Sequence, residues 1–222
     1  KGGEFRRWFG NNNYVVNFFN YGKEVCDYID IHSNSKVNHK GRVINREYYF
    51  KESITWSDTT SAAFSGRYCE KGFIFDIKGS SGFPPHDIIL YVLGLLNSKI
   101  SQEFIKILNP TITTQVGDMS RIPVLYNDLD KQLIDDMVHL NIDISKYDWN
   151  SFETSWNFKR HPLVLCVYKL SLVNSLVEKY IEASYLEWER HCNEQFDQLK
   201  SNEEELNRIF IDIYGLQDEL TP

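Results

Sequence analysis

The sequence predicts an α+β fold: a β-rich first module over residues 1–126, which also carries one helix near 87–108, and a helical module over residues 127–222. Three observations predict it. Aromatic and β-branched residues occur in short alternating runs in the first stretch. Apolar residues spaced by three and four recur after it. The formal charge changes sign between the two: residues 1–125 hold 15 Lys and Arg against 12 Asp and Glu, whereas residues 126–222 hold 9 against 19.

The chain opens on Lys1-Gly2-Gly3-Glu4-Phe5-Arg6-Arg7-Trp8-Phe9-Gly10 and three asparagines, a turn leading into a short strand at Tyr14-Val15-Val16. Residues 30–46 are polar and irregular. Tyr48-Tyr49-Phe50 and Ile54-Thr55-Trp56 have strand composition, and Ser57-Asp58 supplies a turn. Lys71-Gly72 introduces Phe73-Ile74-Phe75-Asp76-Ile77-Lys78, a period-two strand that Gly79-Ser80-Ser81-Gly82 ends. After Pro84-Pro85, Asp87 is placed to cap a helix carrying Ile89, Val92, Leu93, Leu96, Ile100, Phe104, Ile107 and Leu108 on one face, and Asn109-Pro110 stops it. A second helix is expected near Leu129–Leu140, then a Trp-bearing connector over 141–162. From Leu163 a helical stripe runs through Val173, Leu176, Val177, Tyr180, Ser184, Trp188, Cys192, Phe196 and Leu199 to Ile213, with Gly215 as its C-cap.

Composition narrows the class. With 42% hydrophobic and 14% aromatic residues in 222, the chain has enough apolar material for one large or two small domains and is not a disordered tail. No apolar run reaches the roughly 18–20 residues of a membrane span; the longest, Ile88 to Leu96, is interrupted by Tyr91 and Gly94. Cys26, Cys69, Cys166 and Cys192 form no C-x-x-C pair and lie near no clustered histidines, which reads as four reduced thiols in a cytoplasmic protein. The start at Lys1 and the end at Thr221-Pro222 read as those of a segment of a longer chain.

No catalytic constellation is legible. Asn109-Pro110-Thr111 and Phe83-Pro84-Pro85-His86 each hold part of the Asn-Pro-Pro-aromatic loop that grips a flipped-out amino base, but a helix stop and a rigid loop explain them. Neither a Walker loop nor a G-x-G-x-x-G is present, and Gly79-Ser80-Ser81-Gly82 is the nearest approach to a phosphate-facing turn. His32, His39, His86, His139, His161 and His191 accompany no hydrolase or metal motif. What remains is basic and aromatic interleaving: Arg6-Arg7-Trp8, Arg42, Arg46, Lys51, Trp56, Arg67-Tyr68, Lys71 and Lys78, with Ser57, Thr59, Thr60 and Ser61 in loops. Such side chains suit phosphates and base edges, and a polyanion must meet the basic first part rather than the acidic second.

Longer words carry a resemblance. KGGEFRRWFGNNNYVVNF at 1–18, YYFKESITWSDTTSAAFSGRY at 48–68, KGFIFDIKGSSGF at 71–83, YVLGLLNSKI at 91–100, NPTITTQVGDMSRIPV at 109–124, SFETSWNFKRHPL at 151–163 and the ending YGLQDEL occur in this order. Together they resemble the C-terminal half of the PglX-like adenine-specific DNA methyltransferases of BREX phage-resistance systems and of related single-chain type II restriction-modification enzymes. The resemblance implies a DNA target recognition module, with S-adenosylmethionine and the Asn-Pro-Pro-Tyr loop held by a catalytic domain outside this sequence. The implied partners are double-stranded DNA, that catalytic domain and other defence-system proteins. The words LGLLNSK and QVGDMSRIPV resemble specificity domains of type I and TaqI-like enzymes, where they mark a framework helix and the strand after it; Ser98, Lys99, Gly117 and Ile122 would then be scaffold. Residues 19–46 depart from the family pattern, as does Asn157, where Asp is expected.

Within the resembling region, charge and loop chemistry select Arg6, Arg7, Lys51, Ser57, Thr59, Arg67, Lys78, Ser80 and Ser81 as DNA contacts. Thr113 and Gln115 are weaker candidates; Gln115 is suited to a bidentate pair with adenine, although a structural amide explains it as well. No residue is assigned a catalytic, cofactor or metal role. The alternative reading is a protein-interaction module, in which the acidic helices over 163–214 dock onto other subunits.

Overall fold

The computed structural model describes residues 2–32, 38–60, 63–164 and 178–222. It has the α+β character the sequence predicts. Three strands, β1 (Ser53–Ser57), β2 (Arg67–Cys69) and β3 (Gly79–Gly82), form an antiparallel sheet of order β2-β1-β3. Around it lie α1 (Phe19–His32), α2 (Ile89–Asn97), α3 (Lys99–Leu108), α4 (Val116–Met119), α5 (Asp128–Asn150) and α6 (Glu178–Tyr214).

Strand β1 alternates chemically, and the pleat turns that alternation into two unlike faces. Ile54 and Trp56 point into the core, where the Trp56 indole donates to the Thr114 carbonyl at 2.9 Å. Ser53, Thr55 and Ser57 occupy the other face. Register places Thr55 between Arg67 on β2 and Ser81 on β3, so a row of polar side chains crosses the sheet.

One hydrophobic cluster joins both halves of the chain: Trp8, Ile54 and Trp56 belong to it together with Leu93, Leu95, Ile134, Val138 and Phe210. Helix α2 is its axis, apolar nearly all round because the sheet, α5 and α6 cover it on several sides. Gly94 permits the closest approach, since a Cβ there would lie 2.9 Å from Val138 Cγ2 and 3.3 Å from Ile134 Cγ2.

Several elements differ from the sequence expectation. The alternating run Phe73–Lys78 forms no strand among the described residues; Asp76 Oδ1 accepts the Lys78 and Gly79 amides and turns the chain. The strand is instead Gly79–Gly82, whose small residues lie beside Trp56 and Ser57. Tyr48-Tyr49-Phe50 is a 3-10 turn and its exit, with Phe50 left-handed at φ 64°. Tyr14-Val15-Val16 is exposed and forms no strand among the described residues; Trp8, also left-handed at φ 68°, bridges β2.

The helix expected over 87–108 is two helices. Ser98 adopts extended backbone between them, and the hydroxyls of Ser98 and Ser101 both donate to the Leu95 carbonyl at 2.7 Å. The first amide of α3, on Lys99, donates to Asn207 Oδ1 at 2.9 Å, a cap supplied from α6. Asp87 caps nothing, since α2 begins after Ile88 without a side-chain cap. The QVGDMSRIPV word holds the short helix α4 rather than a strand. Helix α5 runs on to Asn150, shortening the expected connector; Asn141 is buried within it, and its Oδ1 accepts from Asn202 Nδ2 at 2.8 Å while its own Nδ2 has no partner among the described residues. Of the last stripe, Val173, Leu176 and Val177 and the Tyr180 side chain lie outside the described residues. Gly215 ends α6 at φ +67°, with the Leu216 amide returning to the Ile211 carbonyl at 3.0 Å.

Candidate nucleic-acid interface

Nine of the eleven residues singled out by sequence fall into three places. Arg6 and Arg7 face the helical half rather than open solvent. Arg6 pairs with Asp148 at 2.6 Å and lies over the Trp149 ring, and Arg7 pairs with Glu203 at 2.7 Å. Glu203 also accepts the Trp8 indole N–H at 2.7 Å. The opposite charges of the two halves therefore meet inside the molecule, and part of the basic character of the first half is spent on holding the second.

A second group lies at the end of the sheet beside Asp58. The Lys78 ammonium pairs with Asp58 Oδ2 at 3.0 Å, and Thr59 Oγ1 donates to the same oxygen at 3.2 Å. Thr59 and Thr113 form an isolated bridge, and the Thr111 and Thr113 hydroxyls are 3.0 Å apart. Gln115 follows at the N-cap of α4 with its side chain exposed. Its amide, with Asn109 Nδ2, donates to the Asp118 carboxylate, and these bonds hold that carboxyl below its ordinary value. Lys78, Thr59, Thr111, Thr113 and Gln115 thus make one polar shelf of hydroxyls, an amide and a cation. Asn109 turns the chain within it, its Oδ1 accepting from Thr111, so the Asn-Pro fragment is a structural turn.

The third group is on the polar face of the sheet. Lys51 is exposed, its ammonium 5.2 Å from the Tyr48 ring centroid. Ser81 and Lys51 line a recess with Arg67, whose side chain is wholly enclosed at 0% exposure. Arg67 Nη1 donates to the Arg6 carbonyl at 3.5 Å, while Nε and Nη2 find no acceptor among the described residues. Burial pushes its guanidinium down to about 10, which leaves it charged at neutral pH. Arg67 is therefore an internal residue of this chain, not a surface one.

Two further candidates are also internal. Ser57 exchanges hydrogen bonds with both backbone groups of Gly3, at 3.1 and 3.0 Å, and Ser80 is buried on the core side of β3, opposite Trp56. Sequence reasoning missed Asp58, which organises the shelf, and Thr55, which joins Arg67 to Ser81. The serine-threonine alternation of residues 53–57 is the signal that could have found the polar sheet face.

Among the described residues no group of three His, Cys, Asp or Glu could hold a metal ion, and no helix is long and apolar enough to cross a membrane. Cys26, Cys69 and Cys192 are free thiols, and burial pushes Cys69 up to about 11. Cys166 lies outside the described residues.

The chain is similar to part of two proteins named adenine-specific methyltransferases. The chain is 40% identical over 230 residues to the adenine-specific methyltransferase PglX of Lacticaseibacillus casei (strain Zhang). It is 34% identical over 227 residues to the adenine-specific methyltransferase BrxX of Escherichia coli O9:H4 (strain HS). Both alignments take in all of this chain, which spans 18% and 16% of the lengths of those relatives. No family model matches the chain.

Proposed function

We propose that this chain is the target-recognition part of a site-specific adenine-N6 DNA methyltransferase of BREX type, and that it positions duplex DNA for a catalytic domain lying elsewhere in the parent protein. The observation that carries the reading is the similarity of the entire chain to a minor segment of proteins named adenine-specific methyltransferases. A methyltransferase must extrude its adenine into a catalytic pocket, and a separate surface must hold the flanking duplex while that happens. The polar shelf of Thr59, Lys78, Thr111, Thr113 and Gln115 has the chemistry for such a surface. Lys51 extends the cationic character on the sheet's polar side. Binding of S-adenosylmethionine and methyl transfer belong, on this reading, to the portion of the parent that the chain does not span.

The test is an exchange of this segment between two homologous parent enzymes that methylate different sequences, followed by methylome sequencing. The methylated motif is expected to travel with the segment. A motif that stays with the recipient's remaining sequence would overturn the reading.

A second reading, a docking surface for other defence proteins, draws on the exposed apolar side chains Ile181, Tyr185, Leu186 and Phe196 of α6. It predicts that the exchange changes complex assembly and leaves the methylated motif alone.

A further inference from the structure

Where β1 begins, the chain presents aromatic rings and lysines around one open recess. Tyr48, Phe50, Lys51, Lys71 and Phe83 line it, and its volume of about 350 Å³ falls within the roughly 300–1,000 Å³ of small-molecule sites. It lies apart from the polar shelf, because Glu52 and Asp58 flank β1 at opposite ends, roughly 20 Å apart along an extended strand.

The rings are displayed rather than packed away. Phe50 is 47% exposed and Tyr48 40%, whereas Tyr49 between them turns to Phe18 and Phe75, with ring centroids at 5.5 and 5.4 Å. Phe50 takes its place in a left-handed conformation that is costly for a bulky residue, and two hydrogen bonds hold it there. Its amide donates to the Phe73 carbonyl at 2.8 Å, and its carbonyl accepts from the Gly72 amide at 3.1 Å. The Tyr48 ring is braced by Phe83, with centroids 4.8 Å apart.

The charge beside the rings is cationic. Lys51 and Lys71 are exposed, and Glu70, the neighbour of Lys71, is taken by Lys146. The Lys51 ammonium lies 5.2 Å from the Tyr48 ring centroid, an exposed contact weak enough to be exchanged for a phosphate. The carboxylate of the lining residue Glu52 is already engaged: Oε2 accepts from the Tyr68 hydroxyl at 3.0 Å, and Oε1 lies 2.6 Å from His86 Nδ1. Exposed rings with lysines at their margin suit a nucleotide whose base is free to stack, whereas a paired base keeps its faces inside the duplex and offers the rings nothing. We propose that this recess receives one unpaired nucleotide, its base against Phe50 and Tyr48 and its flanking phosphates met by Lys51 and Lys71. Stacking carries the contact, so base identity matters little. The inference goes beyond target recognition, and either can fail alone: the segment exchange reads which sequence is methylated, whereas binding to this recess reads whether an unpaired base is preferred to a paired one.

The experiment is fluorescence anisotropy of the full chain with three labelled DNA duplexes at one salt concentration: one carrying a single unpaired nucleotide, the same duplex with that nucleotide abasic, and a fully paired control. The first is expected to bind about tenfold more tightly than either of the others, the worth of one stacked base. Phe50→Leu and Tyr48→Leu change exposed rings outside the apolar core, keep apolar bulk without a π face, and are each expected to remove most of that preference. Lys51→Ala and Lys71→Ala should weaken all three duplexes alike and leave the preference in place. Equal affinity for the three duplexes, or a preference that survives in both leucine variants, would overturn the assignment. Absence of binding to the duplex with the unpaired nucleotide would overturn it too, in favour of a protein occupant, and affinity unchanged in both lysine variants would remove the phosphate contacts.

Discussion

Asn97 holds both backbone groups of Gly66, its Oδ1 accepting the Gly66 amide at 2.8 Å and its Nδ2 donating to the Gly66 carbonyl at 3.0 Å. The residues are 31 apart in sequence, and the clamp fixes the last turn of α2 to the start of β2. The Gly66 carbonyl also accepts the Trp8 amide at 2.9 Å, so the N-terminal stretch hangs on the same point. Asn97→Leu leaves the Gly66 amide buried without an acceptor, which is expected to cost about 2–3 kcal/mol. Urea unfolding followed by tryptophan fluorescence measures it; a loss below about 0.5 kcal/mol would mean that the clamp contributes little.

Gly94 is the next most constrained position of α2. Alanine improves helix propensity by about 1 kcal/mol. Its Cβ, however, would press on Val138 Cγ2 at 2.9 Å and Phe210 Cε2 at 3.4 Å, where α5 and α6 converge. Overpacking of that kind costs about 1–3 kcal/mol, so Gly94→Ala is expected to be destabilising on balance. A melting temperature equal to or above that of the unaltered chain would show that the helices can separate freely.

Glu203 joins the acidic second half to the basic first one through Arg7 and the Trp8 indole. Its side chain is 24% exposed and that of Arg7 22%, so solvent screens the pair only in part. Glu203→Ala is expected to lose about 2–3 kcal/mol, and Glu203→Gln, which keeps an acceptor for Trp8, about half of that. Chemical denaturation of the two variants side by side tests the order, and equal losses would remove Trp8 from the account.

The proposed DNA surface makes an ionic prediction. Lys78 is 66% exposed in its side chain and lies beside the shelf, so Lys78→Ala should leave folding nearly unchanged. In the parent enzyme it should lower the slope of log binding constant against log salt by about one unit. Lys51→Ala is expected to do the same. Filter binding or fluorescence anisotropy over a salt series reads the slope, and unchanged slopes for both would take these lysines off the interface.

Asp118 supplies a pH prediction with a definite sign. Hydrogen bonds from Asn109 Nδ2 and from the Gln115 amide hold its carboxyl below the ordinary value. A folded-state pKa lower than the unfolded one adds stability above the unfolded value and loses it as pH falls through the folded value. Asp118→Asn should therefore lie furthest below the unaltered chain near neutral pH and begin to converge with it as the pH falls below about 4. Parallel denaturation curves at pH 7 and pH 3 check this, and a gap that widens in acid would reverse the assignment.

What the sequence determined by itself was local. The Ile54 and Trp56 alternation specified β1, the spaced apolar residues of 89–108 specified helix, and Gly215 specified where the last helix stops. Long words such as YYFKESITWSDTTSAAFSGRY carried the resemblance to adenine-specific methyltransferases, because a run of that length is far more specific than any three-residue motif. Tertiary structure alone decided which polar residues are buried. The expected helix stops near Leu140, yet α5 continues through the buried Asn141, whose Oδ1 accepts from Asn202, 61 residues away. Arg6 and Arg7 read as phosphate contacts, but their carboxylates wait 142 and 196 residues downstream. Arg67 reads as a surface cation and is enclosed. Periodicity reports which face of an element is apolar; whether a charge on the other face meets water, a carboxylate or a closed recess depends on chain segments that no local window contains.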